Sequence, residues 1–233
     1  MRRHLALAIV ASSLMHLASP TAWAETVEDF RIWSNVTGRG NFGFINPELK
    51  RLRWWSEVQL RMRESGKEMD QLLIRPAIGY ALSDHSTLWV GYAHVVSYLT
   101  VGDEIVENRI WQQYMWSGPT LAGAFTSRTR FEQRWLANGS DTGARFRQFF
   151  KFSWPFSFHQ AAGFVVWDEV FVHLNSTDWG ARRGLDQNRG FAGLGYRWYP
   201  HILIEIGYLN QYVKTASTDR LNHVLSLNGF FDF

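Results

Sequence analysis

The sequence predicts an all-β protein, a transmembrane antiparallel up-and-down β-barrel of ten to twelve strands. Three features predict it: a two-residue alternation along most of the chain, connections that alternate in length, and charges gathered on one face of the strands. The alternation is clearest in the last stretch, 221–233. Leu221, His223, Leu225, Leu227, Gly229, Phe231 and Phe233 share one face, and Asn222, Val224, Ser226, Asn228 and Asp232 supply the other. That is the period of a strand with one oily and one wetter face.

Residues 1–24 have the parts of a secretory signal peptide. Arg2, Arg3 and His4 form the basic start, 5–18 the apolar middle, and Ala22-Trp23-Ala24 the small-residue cleavage pattern. Ser12, Ser13 and His16 interrupt the apolar middle, which is shorter than the ~20 residues a spanning helix needs. Cleavage after Ala24 would leave 25–233 as one barrel domain.

Charge and cysteine narrow the classes. Without Arg2 and Arg3 the 24 Lys+Arg become 22 against 21 Asp+Glu, a net charge of +1. The cations are spaced singly through strands, which argues against a nucleic-acid partner. There are no cysteines, which excludes disulfides and thiolate metal sites. No segment after the leader is apolar for 18 residues, so helical spans are not expected.

Taken in order, 25–48 starts with one strand. Phe30, Ile32, Ser34 and Val36 alternate with Arg31, Trp33, Asn35 and Thr37, before Gly38, Gly40, Gly43 and Asn46-Pro47 break the pattern. The next strand sets Trp54, Ser56, Val58, Leu60 and Met62 against Arg53, Trp55, Glu57, Gln59, Arg61 and Arg63. Further strands are expected near 71–82, 87–98, 107–117, 121–136, 145–156, 161–174, 187–199, 202–212 and 221–233. That makes eleven, whereas bacterial single-chain barrels have an even number. On that rule 25–48 either splits into two strands, giving twelve, or stays outside the wall, giving ten.

The connections at 64–70, 99–106, 137–144, 175–186 and 213–220 read as long and polar, and those at 83–86, 118–120, 157–160 and 200–201 as short. Outer-membrane barrels sort their loops in this way, with short periplasmic turns and longer external loops. Trp116, Trp154, Phe156, Trp198 and Tyr199 lie beside short turns, and Trp135 and Trp179 at long loops, as two interfacial aromatic belts would require. The closing strand with its terminal phenylalanine resembles the assembly signal of bacterial outer-membrane barrels, carried by Phe231 and Phe233. That resemblance implies a Gram-negative outer membrane, with the barrel assembly machinery and outer-membrane lipid as partners.

Several ordered runs resemble a family. They are Ile74-Arg75-Pro76-Ala77-Ile78-Gly79-Tyr80, Leu88-Trp89-Val90-Gly91-Tyr92-Ala93, Glu107-Asn108-Arg109-Ile110-Trp111-Gln112-Gln113 and Ser127-Arg128-Thr129-Arg130-Phe131-Glu132-Gln133-Arg134. Trp167-Asp168-Glu169-Val170-Phe171, Gln187-Asn188-Arg189 and Ile206-Gly207-Tyr208-Leu209-Asn210-Gln211 follow in the same order. Together they resemble the bacterial family called domain of unknown function 2490. The resemblance implies an exported, barrel-like protein and brings no catalytic residues with it.

Strand parity points to a charged lumen. In 121–136 the oily face carries Phe125, Phe131 and Trp135, which leaves Arg128, Arg130, Glu132 and Arg134 opposite. In 145–156 Phe146, Phe150, Phe152, Trp154 and Phe156 are oily, and Arg145, Arg147 and Lys151 face the other way. Arg53, Glu57, Arg61 and Arg63 follow the same rule, and Arg75, Arg109, Glu169, Arg189 and Glu205 join them. An arginine facing lipid near the midplane costs ~2–4 kcal/mol, so these side chains are expected inside. There they either pair into a filling network or line a narrow pore that prefers small anions.

Catalysis is the other class. Outer-membrane lipid hydrolases use a Ser–His pair near the rim, and here His94 with Ser97, and His173 with Asn175 and Ser176, stand at long loops. No cofactor or metal is expected. Glu169 and His173 lie ~13 Å apart along a strand, and Asp178 and Asp186 lack an EF-hand spacing. Gly190, Gly193 and Gly195 precede no helix, so they read as room for bulky neighbours rather than a dinucleotide site.

Overall fold

A computed structural model describes residues 26–100 and 102–233; the leader read in 1–24 lies outside the described residues. The strands are β1 (Val27–Asn41), β2 (Leu52–Arg63), β3 (Glu68–Ala81), β4 (Ser86–Thr100), β5 (Asp103–Thr120) and β6 (Gly123–Leu136). They continue as β7 (Gly143–Phe156), β8 (His159–His173), β9 (Gly184–Tyr199), β10 (Ile202–Val213) and β11 (Arg220–Asp232). Each pairs antiparallel with its chain neighbour, and β1 closes the sheet against β11. Among the described residues the helices are single 3-10 turns, and none is long and apolar enough to cross a membrane.

The wall has eleven strands, as the periodicity counts, and neither ten nor twelve. The odd number is accommodated because β1 and β11 run parallel, from Val27↔Arg220 to Arg39↔Asp232. Parallel pairing satisfies the same backbone groups with slanted bonds, so no edge is left open. Arg39 and Asp232 form an ion pair across the seam, and the Phe233 N–H donates to the Arg39 carbonyl at 2.9 Å. The start of β1 therefore lies at the end of the barrel opposite the end of β11.

The loops depart from strict alternation in two places. The expected long loop at 99–106 is mostly strand, since β4 runs to Thr100 and β5 begins at Asp103. Its polar residues belong to a two-stranded ribbon, in which Tyr98 faces Glu104. At the other end, which has two-residue turns at 121–122, 157–158 and 200–201, the β1–β2 connection takes ten residues, 42–51, in two 3-10 turns. Polar composition marked where the strands leave the oily band, not where they stop.

Burial is inverted relative to a globular domain. Ile78, Val90, Tyr114, Phe164, Leu194 and Ile206 are exposed on the outer face, while Arg130, Glu132 and Glu205 are fully buried inside. Two apolar clusters also line the inner wall, one around Trp33, Val165, Phe191, Leu209 and Val224, the other around Trp55, Ala77, Trp89, Ala93 and Trp111. Gly193 and Gly207 lie opposite each other between β9 and β10. A Cβ on either would come 2.7 Å from the Phe191 ring, so both leave room for a bulky neighbour.

The seam is directly testable because the chain has no cysteine. Ser34 is the partner of Leu227 in the parallel register. The pair Ser34→Cys with Leu227→Cys is expected to form an intramolecular disulfide on oxidation, read as a mobility shift on a non-reducing gel. A wall that omits β1, or pairs it antiparallel, would leave the two thiols free.

Candidate functional site

The inner face holds the charges because strand parity puts them there and pairing register brings them together. Glu57 faces Arg75 between β2 and β3, and Arg109 faces Arg134 between β5 and β6. Between β6 and β7, Glu132 faces Arg145 and Arg130 faces Arg147; between β8 and β9, Glu169 faces Arg189. Two of these pairings set like charges opposite each other, a cost unless a carboxylate comes between them.

Carboxylates do come between them. Glu132 accepts from Arg145 Nη2 at 2.6 Å and from Arg147 Nη1 at 2.5 Å, with Arg130 at 3.7 Å. Glu169 accepts from Arg147 at 2.7 Å and Arg128 at 2.8 Å. Glu107 takes both Arg109, at 2.9 Å, and Arg134, at 2.5 Å. Glu57 pairs Arg75 at 3.1 Å, and Glu205 holds Lys151. The guanidiniums also lie over rings: Arg130 over Trp111 at 4.1 Å, Arg147 over Phe171 at 4.4 Å and Arg61 over Trp33 at 4.1 Å. A planar cation can use its edge for a carboxylate and its face for an aromatic ring.

Two cavities flank this layer. One of about 350 Å³ lies toward the loops at 137–142 and 174–183, among Arg61, Gln71, Arg109, Arg134, Gln187 and Arg189. The other, about 540 Å³, lies toward the short turns, among Asn35, Ser117, Phe149, Lys151, Glu205 and Asn228. Trp33, Arg75, Arg147 and Arg189 line both cavities and so stand between them.

Loop 174–183 folds against loop 137–142 over the first cavity. Asp178 accepts from the Ser140 N–H at 2.8 Å, the Ser140 hydroxyl at 2.7 Å and the Asp141 N–H at 3.2 Å. The Ser140 donors hold its carboxyl below the usual aspartate range. Trp179 donates Nε1 to the Asp141 carbonyl at 2.9 Å and stacks 5.2 Å from the Arg134 guanidinium, so it faces the lumen and does not belong to a lipid-facing belt.

Fourteen of the sixteen expected lumen residues sit on the inner face at the heights of the network or its cavities. Arg53 and Arg63 are the exceptions: Arg53 shares the inward parity but lies at the short-turn rim beside Lys50, Arg51 and Asp84, and Arg63 lies at the loop end, bonded to Glu68 at 2.9 Å and to the Tyr98 carbonyl at 2.7 Å. Parity fixes the face, not the height. Glu107, Gln113 and Asp186 belong to the network without having been expected there: Gln113 accepts from Arg130 at 2.9 Å and Asp186 from Arg145 at 2.8 Å. Glu107 shares parity with Arg109, which was the available signal.

The structure does not assemble the expected Ser–His pairs. His94 is on the outer face, bonded to Asn108 at 3.1 Å, while Ser97 points inward and accepts from Gln71 at 2.8 Å. A spacing of three on a strand puts two side chains on opposite faces. His173 points inward, 3.4 Å from Asp186, while the Ser176 hydroxyl accepts from the Arg183 N–H at 3.1 Å. Among the described residues no three potential ligands could hold a metal ion. Asp178 is taken by Ser140 and Asp141, and Asp186 by Arg145, so the two are not one site. At the seam Phe231 is half-buried, and Phe233 stacks on Trp54 with ring centroids 5.8 Å apart.

Fold and site together define a closed β-barrel with an ion-paired interior. The chain belongs to the family described as "Protein of unknown function (DUF2490)", whose model matches residues 30–222. An uncharacterised protein of Methylorubrum extorquens is 38% identical over 233 residues, covering 99% of each chain. The NanC porin, solved in a rhombohedral crystal form, aligns with a TM-score of 0.48 at 12% identity, over 79% of this chain and 94% of that one.

Glu132 is the residue on which most arginines converge. Glu132→Gln keeps the shape but leaves Arg130, Arg145 and Arg147 without their shared charge. It is expected to cost about 3–5 kcal/mol of stability, as for other broken buried pairs, read from denaturant unfolding in detergent. An unchanged midpoint would mean that water, not Glu132, screens these arginines.

Proposed function

We infer that this protein is an outer-membrane β-barrel of a Gram-negative bacterium whose lumen is closed at mid-height by its own arginine–carboxylate layer. One observation carries the reading: Trp33, Arg75, Arg147 and Arg189 line both cavities, so the ion-paired Arg75 and Arg147, with Trp33 and Arg189 beside them, lie across the path from one end to the other. Membrane residence is supported by the outer face, where large apolar side chains stand exposed on strand after strand. Such a surface on a soluble monomer would be an association liability. Around a closed barrel it is the expected lipid-facing band. Export is supported by the leader pattern in 1–24, and insertion by the closing strand that ends in Phe231 and Phe233.

Of the two accounts of the inward charges, the paired network is the better supported. Glu57, Glu107, Glu132 and Glu169 each hold at least one arginine. An anion pathway would leave such arginines free to contact the ion. A hydrolase at the rim is disfavoured because neither serine is within reach of its histidine.

Cell fractionation is expected to place the protein in the outer membrane, migrating faster unheated than boiled. In liposomes the purified barrel is expected to leave chloride flux at the protein-free level. A soluble periplasmic protein would overturn the membrane reading. A chloride flux that Arg147→Glu reduces would replace the closed layer with a pore.

A further inference from the structure

Among the described residues eight arginines are buried in the barrel, and six of them have a carboxylate partner. The other two, Arg61 and Arg189, do not. Arg61 donates Nε and Nη2 to Gln59 at 3.0 and 2.6 Å, and Nη1 to Gln71 at 2.7 Å. Arg189 donates only Nε, to Gln187 at 3.1 Å, which leaves both its terminal nitrogens without an acceptor. Among the described residues neither arginine has an ion pair, although both are buried; Glu169, which faces Arg189 in the ladder, is taken by Arg147 and Arg128.

The two share one indole. The guanidinium carbons of Arg61 and Arg189 lie 4.1 and 5.0 Å from the Trp33 ring centroid, and both side chains line the cavity on the loop side. The acceptors around them form a chain of neutral amides. Gln71 donates to Ser97 at 2.8 Å, Gln211 to Gln187 at 2.6 Å and Asn222 to Gln211 at 2.9 Å. Amides fix the direction of a guanidinium without cancelling its charge. A buried cation needs a counter-charge, and elsewhere in this barrel glutamates supply it. Here the protein offers orientation and about 350 Å³ of space instead.

We propose that the loop-side cavity is a binding site for a small oxyanion, a carboxylate or phosphate group, held between Arg61 and Arg189 over Trp33. Arg189 offers two N–H edges in the fork geometry that suits a carboxylate or phosphate. Chloride lacks that geometry and would be held weakly. The volume suits one small acid, such as a phosphate or a single sugar acid. The site rests on the closed lumen inferred above, because an open lumen would make it one stop on a pathway.

The test uses the purified barrel in a nonionic detergent free of phosphate and sulfate. Sodium phosphate and sodium glucuronate are titrated by calorimetry and by unfolding midpoint, against sodium chloride at equal ionic strength. Both oxyanions are expected to bind and to raise the midpoint with concentration, whereas chloride should not. Arg189→Gln is expected to weaken binding at least tenfold while the anion-free protein stays folded, since Arg189 makes no ion pair that the change would break and Glu169 opposite keeps Arg147 and Arg128. Gln187→Glu provides that partner internally, so it should abolish binding and raise the anion-free midpoint. Displacement of phosphate by micelles containing phosphorylated lipid A would assign the group to a lipid headgroup, and no displacement to a free acid. Binding no stronger than chloride, or equal binding by wild type and both variants, overturns the proposal. Chloride flux through liposomes, measured on the same preparation, reports separately on the closed lumen.

Discussion

A charge buried in the barrel is costly unless an opposite charge meets it, and that requirement organises most of the interior. Glu132 meets it for Arg130, Arg145 and Arg147, drawn from two adjacent strands. Glu169 then ties Arg147 to Arg128, so the layer spans three strands from β6 to β8. Side chains this long, held at both edge and face, occupy the space between the two cavities, which is the basis of the closed lumen proposed above. The ladder register is what makes it work: slipping one strand by a single residue would turn its arginines outward to the apolar band.

The same logic explains the aromatic residues inside. Trp33, Trp55, Trp89 and Trp111 are buried on the inner wall, and two of them carry a guanidinium on their faces. A cation whose edges go to carboxylates still has two flat faces to cover, and an indole covers one without competing for hydrogen bonds. Arg61 and Arg189 show what happens when the carboxylate is missing. The ring and the amides remain, and a positive charge is left facing a cavity.

Much of this was legible in the sequence, and the limits have physical causes. Alternation located every strand within a few residues and put Glu57, Arg75, Arg130, Glu132, Arg145, Arg147 and Glu205 on the inner face, because period two is a local property. Height along the barrel is not local, so alternation groups Arg53 with a network it does not reach and does not single out Glu107. Strand direction across the seam leaves no trace in alternation either, since β1 reads the same whether β11 runs with it or against it. Loop position alone places Trp179 at an interface, and only the fold of its loop against Ser140 and Asp141 turns it toward the lumen. The separation of His94 from Ser97 was readable, because an odd spacing on a strand divides two side chains between faces.

The central claim is that the side chains at mid-height separate the two ends of the lumen, and the absence of cysteine makes one measurement of it direct. Val213 lines the loop-side cavity and Ser117 the other. The double variant Val213→Cys with Ser117→Cys is reconstituted in sealed vesicles and exposed to a small anionic, membrane-impermeant thiol reagent from outside only. Mass spectrometry of each chain then counts the labels, whichever way the barrel has inserted. A closed layer predicts one label per chain until detergent is added, and two afterwards. Two labels per chain in intact vesicles would contradict it.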